Sequence, residues 1–301
     1  MATNVNPTPE ALVAELVLLL DLEPRGGDDR FLGRKKKGGI GRVFGGQAIA
    51  QALGAAERTV DDNRHCHSLH CYFLRGGSED YPIDYQVMRD FDGGSFSNRR
   101  VVASQQGQPI LNLTASFQVT QQGLEHQYQQ MPDVPGPEEL KSDAELRREI
   151  ADLLPNFYRD RLLQPWPIDS RSVEPRDWMF PQKCEPLSHI WFRTVAELPD
   201  DPRVHRAVLA YASDMHLLAT STRPHGVNWY RGEIKAASLD HAIWFHEPFR
   251  ADEWLLYVTD SPWAGGSRGF TRGQIFSRDG RLVASTAQEG MIRPIERAPK
   301  P

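Results

Sequence analysis

Cysteine is scarce. The three cysteines in 301 residues, Cys66, Cys71 and Cys184, are odd in number and fit no zinc spacing, which argues against a disulfide framework and for free thiols in a reducing compartment. An excess of positive charge is also missing. With 35 Lys and Arg against 40 Asp and Glu, the formal net charge of -5 supplies no basic field for nucleic acid or an anionic membrane. Long apolar runs are absent too: Ala11 to Leu22 is interrupted by Glu15 and Asp21 and follows no basic segment, so neither a spanning helix nor a secretory signal is expected. The C-terminus, Arg297 to Pro301, lacks a Ser-Lys-Leu address, and the expected location is cytoplasmic. His65, His67, His70, His216, His241 and His246 form no H-E-x-x-H or comparable spacing; no metal is expected, and satisfied structural histidines are the simpler reading, with His67 and His70 the pair placed to line a pocket.

What the chain does contain is a repeat. Tyr85 to Ala115 and Tyr257 to Ala287 align at a constant offset, pairing Gly93-Gly94-Ser95 with Gly265-Gly266-Ser267, Arg100 with Arg272, and Thr114-Ala115 with Thr286-Ala287. A duplicated unit says more about fold than any single propensity. Each copy starts with a helical apolar run, Val43 to Val60 and then Val204 to Ala219. Strand-like segments follow: His67 to Leu74, Ile83 to Arg89, Ser97 to Gln105 and Pro109 to Val119 in the first copy, and Ala237 to Phe245, Trp254 to Thr259, Arg268 to Ser277 and Leu282 to Ile292 in the second. Alternation and turn residues such as Arg278-Asp279-Gly280 predict antiparallel hairpins, so the fold class is α+β, one helix on one sheet per copy.

The division expected is an N-terminal repeat over 1–120, a linker with a short helix over 121–169, and a C-terminal repeat over 170–301 that carries the chemistry. Thr8-Pro9, the Ser142-x-x-Glu145 capping box and Asp200-Asp201-Pro202 mark helix starts.

Gly265-Gly266-Ser267-Arg268-Gly269 satisfies the G-x-S-x-G pattern of a nucleophile elbow. An elbow needs a helix after it, and Phe270 to Phe276 reads as strand, so a glycine turn is expected instead. The basic run Arg34 to Lys37, before Gly38 and Gly39, suits either phosphate contact or a solvated loop. The informative positions are those where the copies differ. Asp214 falls near the place of Gly45-Gly46-Gln47, Ser238 begins a strand, and Gln288 takes the place of Ser116. A helix cap, a strand-end hydroxyl and an edge amide are their ordinary structural roles. Asp240 shares the strand face of Ser238 under period-2 alternation and is a rival carboxylate.

Five stretches, Val43-Phe44-Gly45-Gly46-Gln47, His67 to Arg75, Tyr211 to Asp214 with Arg223-Pro224-His225-Gly226, Asp240 to His246, and Ala284 to Gly290, stand in an order that resembles the acyl-CoA thioesterase II family over nearly the whole chain. The resemblance implies a double hot-dog fold, an acyl-CoA substrate, and a water held by an aspartate, a threonine or serine, and a glutamine. By motif these are Asp214, Ser238 and Gln288. Serine at 238 keeps the donor and acceptor and loses a methyl contact, and Arg75-Gly76-Gly77 departs from the family's Arg-Pro-Gly. Asp214 is the group able to take the proton, and an oxyanion would be met at the Gly45-Gly46 turn or the turn at Asp214. Thiolate leaves readily, so no cofactor is expected. A homo-oligomer, dimer or tetramer, is the default. The rival readings are a hot-dog enoyl-CoA hydratase or dehydratase, which would want an Asp-x-x-x-x-His pair not found near the first helix, and an acyl-CoA-binding sensor without turnover.

Overall fold

The computed structural model describes residues 7–27, 29–36, 41–153, 159, 162–229 and 231–295. Helix α1 (Pro9–Leu20) begins on the Thr8 side chain, which accepts from the Ala11 amide, with Pro9 in the first turn. Strands β1 (Leu22–Pro24) and β2 (Arg30–Gly33) lead to helix α2 (Gly45–Glu57), and then β3 (Arg64–Phe73), β4 (Ile83–Asp92), β5 (Phe96–Gln105) and β6 (Gln108–Val119) complete the first half. After an extended stretch, α3 (Asp143–Ala151) starts on the predicted capping box, Ser142 accepting from the Glu145 amide while Glu145 accepts from that of Ser142. The second half holds β7 (Ile168–Ser172), β8 (Leu187–Thr194), α4 (Pro202–Ser213), α5 (Leu217–Thr220), β9 (Ile234–Ser238), β10 (Asp240–Phe245), β11 (Leu255–Gly265), β12 (Arg268–Ser277) and β13 (Leu282–Pro294). Strand β7 starts inside the segment expected as linker.

The strands form one antiparallel sheet in the order β1-β2-β4-β5-β6-β3-β10-β13-β12-β11-β8-β7, with β9 paired to β13. The duplication is visible in that order: β4-β5-β6 and β11-β12-β13 are the same three-strand meander, and the halves meet where β3 pairs β10, Tyr72 opposite Asp240 and Ser68 opposite Trp244. The β11–β12 turn at Gly266 and Ser267 is left-handed at both residues, φ 55° and 63°, the geometry of a tight hairpin. Strand, not helix, follows it, as expected of a glycine turn.

Helices α2 and α4 lie antiparallel. The start of α2 meets the end of α4, where a Cβ on Gly46 would fall 2.2 Å from the Tyr211 carbonyl oxygen. At the other end, Glu57 of α2 receives the Arg206 guanidinium of α4 at 2.7 Å, both side chains buried. The near-continuous Gly and Ala of α2, Gly45-Gly46-Gln47-Ala48-Ile49-Ala50, permit this approach because little side chain stands between the backbones. Ile49, Leu53, Leu69 and Tyr85 from the first half and Leu209, Ile243 and Tyr257 from the second belong to one core.

Two local expectations change. The helix expected over Val204 to Ala219 is broken into α4 and α5, with Asp214 closing α4. The break leaves the Asp214 carboxylate accepting from the Gly46 amide, so Asp214 and Gly45-Gly46 are not repeat equivalents but contact partners across the antiparallel helices. The single strand expected over Ala237 to Phe245 is split as well. Ser238 faces Gly290 while Ala242 faces Ala287, one residue more on this strand than on β13, which is a β-bulge at Leu239. The Leu239 amide donates to the Glu289 carbonyl and its own carbonyl accepts from the Phe73 amide, each at 2.9 Å. Ser238 therefore ends β9 rather than beginning a strand.

Candidate active site

The bulge decides which side chains meet. Residues directly opposite across an antiparallel pair share a face; Ser238 opposite Gly290 and, past the bulge, His241 beside Gln288 both fall on the face of β13 that carries Gln288. Asp240 is turned to the other face, where its carboxylate accepts from the Glu289 amide at 2.7 Å. The period-2 argument for Asp240 fails because the extra residue reverses the alternation.

On that shared face the structure brings Asp214, Ser238 and Gln288 together. The Gln288 amide nitrogen donates to the Ser238 hydroxyl at 2.5 Å, and that hydroxyl lies 3.5 Å from an Asp214 carboxylate oxygen. The Asp214 side chain is 5% exposed and accepts from the Gly46 amide, the Gln288 amide and the Ser238 hydroxyl. Burial outweighs these three donors and pushes its pKa up to about 7, because loss of hydration penalises the carboxylate more than neutral donors restore. Glycine at 45 leaves the carboxylate its place: a Cβ would stand 2.4 Å from it and 3.0 Å from the Phe73 ring, so a larger residue would displace one or both.

Behind the trio sits His241, which the sequence reading placed among structural histidines. Its Nδ1 is 2.9 Å from the Gln288 amide oxygen and 4.0 Å from Asp214, and its Nε2 is 2.9 Å from the Ser213 hydroxyl. Burial pushes its pKa down to about 4, so the ring is neutral near neutrality. Its position one residue after a rival carboxylate, inside the Asp240 to His246 stretch, was the available signal.

Asp214, Ser238 and Gly45 line a cavity of about 1050 Å³, with Gln288 fully buried behind its wall. Phe73, Ile110, Leu111, Leu146, Ile190 and Leu218 supply apolar wall. Six cationic side chains, Lys36, Arg42, Arg75, Arg147, Arg176 and Arg223, reach the same cavity against three carboxyl groups, Glu79, Asp143 and Asp214, a positive balance opposite in sign to the chain's net charge of -5. The arrangement suits a long ligand with an apolar part and an anionic part. Of the basic run, Arg34 pairs with Glu23, Lys35 donates to the Asp80 carbonyl, and Lys36 reaches the cavity and stands over the Trp166 ring; Lys37, Gly38 and Gly39 lie outside the described residues, as do Arg297 to Pro301. His67 bonds Ser116 and His70 meets the Trp244 ring edge-on, and neither lines the cavity. Among the described residues no helix is long and apolar enough to cross a membrane.

A family model described as acyl-CoA thioesterase matches residues 166–291, and one described as the acyl-CoA thioesterase N-terminal domain matches 34–118. The chain is 42% identical over 290 residues to acyl-coenzyme A thioesterase 8 of Homo sapiens, spanning 91% of this chain and 88% of that one. Among solved structures, acyl-CoA thioesterase II TesB2 from Mycobacterium marinum is 40% identical with a TM-score of 0.76, over 94% of this chain and 99% of that one. A hot-dog protein of unknown function from Alicyclobacillus acidocaldarius, 19% identical over 93% of this chain and 98% of that one, has a TM-score of 0.73; that likeness bears on fold alone, and the fold is the α+β double hot-dog.

Proposed function

The chain belongs to the acyl-CoA thioesterase family and is a thioester hydrolase, and from that premise we propose that it cleaves fatty acyl-CoA to fatty acid and coenzyme A with a water activated by Asp214, Ser238 and Gln288. The observation that carries this reading is a nearly dry carboxylate on the wall of a cavity that joins apolar surface to a set of cations. Asp214, with its pKa raised to about 7, is the group able to take a proton from water near neutral pH, since a general base works best with a pKa close to the working pH. Ser238, on the cavity wall, holds the water; Gln288, in the second rank, keeps Ser238 and Asp214 in register.

The water oxygen attacks the thioester carbonyl carbon while its proton passes to Asp214. The carbonyl π electrons move onto oxygen, and the oxyanion faces the start of α2, where Gly45 lines the cavity and offers the first backbone N–H of the helix. Collapse re-forms the carbonyl, expels the coenzyme A thiolate and returns the proton from Asp214 to sulfur. Residues 1–120 and 168–301 act as the two repeats joined by 121–167, the second carrying the base and the first lending Gly45 and Gly46. The protein works in the cytoplasm as a homo-oligomer.

The test is release of free thiol from a panel of acyl-CoA chain lengths. Release of one thiol per acyl-CoA consumed, from saturated chains as well as an enoyl-CoA, supports hydrolysis. Binding without release would make the protein a sensor, and loss of the enoyl absorbance without release of thiol would make it a hydratase.

A further inference from the structure

Hydrogen-bond accounting around the trio leads beyond it. His241, Ser213 and Gln288 are 1%, 0% and 1% exposed, so each polar atom has to find its partner inside the protein. Ser213 has one hydroxyl hydrogen and two neighbours that can accept it, the Ala210 carbonyl at 3.1 Å and His241 Nε2 at 2.9 Å. A neutral imidazole has one N–H, and the amide of Gln288 presents either its oxygen or its nitrogen to the ring. Only two consistent arrangements exist along this chain.

In one arrangement, Ser213 donates to Nε2, Nδ1–H donates to the Gln288 oxygen, and the amide nitrogen faces Ser238 and Asp214, so that Ser238 donates to the carboxylate. In the other, Ser213 donates to Ala210, Nε2–H donates to Ser213, and Nδ1 needs a hydrogen from Gln288. The amide is then turned over, with its oxygen toward Ser238. That reversed arrangement removes two of the three donors from Asp214 and suits only its protonated form.

We propose that His241 is a positioning residue for the hydrolysis: as the Nδ1–H tautomer, held by Ser213, it fixes the Gln288 amide with nitrogen toward Ser238 and Asp214 and so sustains the carboxylate that accepts the proton of water. The inference rests on the catalytic reading of Asp214 given above. It gives a buried histidine with no access to the cavity a reason for its two side-chain bonds. The titratable groups around the chain agree with it. Cys71 and Tyr257, both buried and near enough to feel the charge of Asp214, have their pKa values raised, chiefly by burial, and stay neutral, so neither supplies charge that would replace the donors.

Two measurements test it. Nitrogen-15 NMR of the wild-type protein labelled in the histidine rings should show His241 as the neutral Nδ1–H tautomer at about pH 9, where Asp214 is ionised; the Nε2–H tautomer there would overturn the proposal without any variant having to fold. In kinetics, His241→Leu should lower kcat about 10- to 100-fold with KM changed by less than about twofold, and should move the kcat pH profile to higher pH, because the carboxylate loses oriented donors. His241→Asn, whose amide can supply a donor near the Nδ1 position, should recover much of the loss and of the profile. A His241→Leu protein with native melting temperature and an unmoved profile would refute the positioning role. Asp214→Asn, assayed alongside, separates the two claims: if it retains turnover, the catalytic reading itself falls, whereas an inactive Asp214→Asn beside an unaffected His241→Leu removes only the role of the histidine.

Discussion

The backbone amide of Gly46, near the start of α2 in the first half, donates to the carboxylate of Asp214, which closes α4 in the second. The proposed base is thus held by both halves of the chain. An acidic group at a helix N-terminus is favoured by the orphan N–H groups and the positive end of the helix dipole. Here that contact opposes a larger desolvation effect, and the result is a carboxyl poised near neutrality rather than one locked in its ionised form.

The pH dependence of turnover follows from that balance. With the Asp214 pKa pushed up to about 7, the ionised fraction grows as pH rises through that value, so kcat should climb through about pH 7 and level off above it. Asp214→Asn should lose the climb along with most of the rate, about 30-fold or more, which corresponds to roughly 2 kcal/mol of activation free energy. A rate profile that is flat from pH 5 to 8 in the wild type would assign the base elsewhere.

Adjacent glycines should separate chemistry from packing. The Cβ of Gly45→Ala would meet the tip of the Asp214 carboxylate at 2.4 Å, whereas that of Gly46→Ala would meet the Tyr211 backbone oxygen at 2.2 Å. A side chain can yield by rotating; a helix backbone has to move as a unit. Gly45→Ala should therefore lower kcat at least about tenfold with a modest loss of stability, on the order of 1 kcal/mol. Gly46→Ala should cost about 3 kcal/mol or more by forcing α2 and α4 apart. Urea melts and turnover on the same preparations provide the check, and equal effects at the two positions would contradict it.

The strands were the most legible part of the chain. Arg268 to Ser277 is strand β12 end to end, because alternation and glycine turns are local signals that pairing then reinforces. The repeat placed Gln288 one residue out: the β12–β13 turn is one residue longer than the β5–β6 turn, so Gln288, opposite Thr271, takes the place of Ala115, which lies opposite Arg99, and not that of Ser116. The break after Ser213 was not legible: apolar residues continue through Leu217 and Leu218 at helical spacing, and the residue at which α4 ends, Asp214, has its carboxylate partner in Gly46, far away in sequence. The bulge at Leu239 was hidden for the same reason, since bonds to Glu289 and Phe73 on two neighbouring strands set it. That single extra residue withdrew Asp240 from the site and brought His241 in.

The ion pair joining the halves makes a further prediction. Arg206 and Glu57 meet at 2.7 Å with both side chains buried, and burial holds the Glu57 pKa up while the guanidinium lowers it. Removing one partner strands a charge, so Arg206→Leu should cost about 3 to 5 kcal/mol. Replacing both with leucine should recover most of that loss, because neither charge is then left to desolvate. Melting curves of the two single variants and the double variant measure the coupling; additive losses would show that the pair does not act as a unit.

The same carboxyl that serves turnover should weaken the fold at high pH. The folded pKa of Asp214, about 7, lies above its ordinary value of 3.8, so the folded state holds the proton more tightly, and stability falls as pH rises from about 4 to 7. The full effect is on the order of 4 kcal/mol. His241 has the opposite sign: its folded pKa of about 4 lies below the ordinary 6.5, so its contribution is intact above 6.5 and is lost as pH falls toward 4. His216, likewise pushed down to about 4, adds to that acid loss. Asp214 and the two histidines thus offset one another between pH 4 and 6.5, flattening the wild-type profile. Asp214→Asn removes one side of the balance. The variant should be more stable than wild type at pH 8 and should lose stability more steeply on acidification below 6.5. Equilibrium unfolding at pH 4.5, 6 and 8 decides the matter, and parallel curves for the two proteins would mean that Asp214 is ionised in the fold at all three.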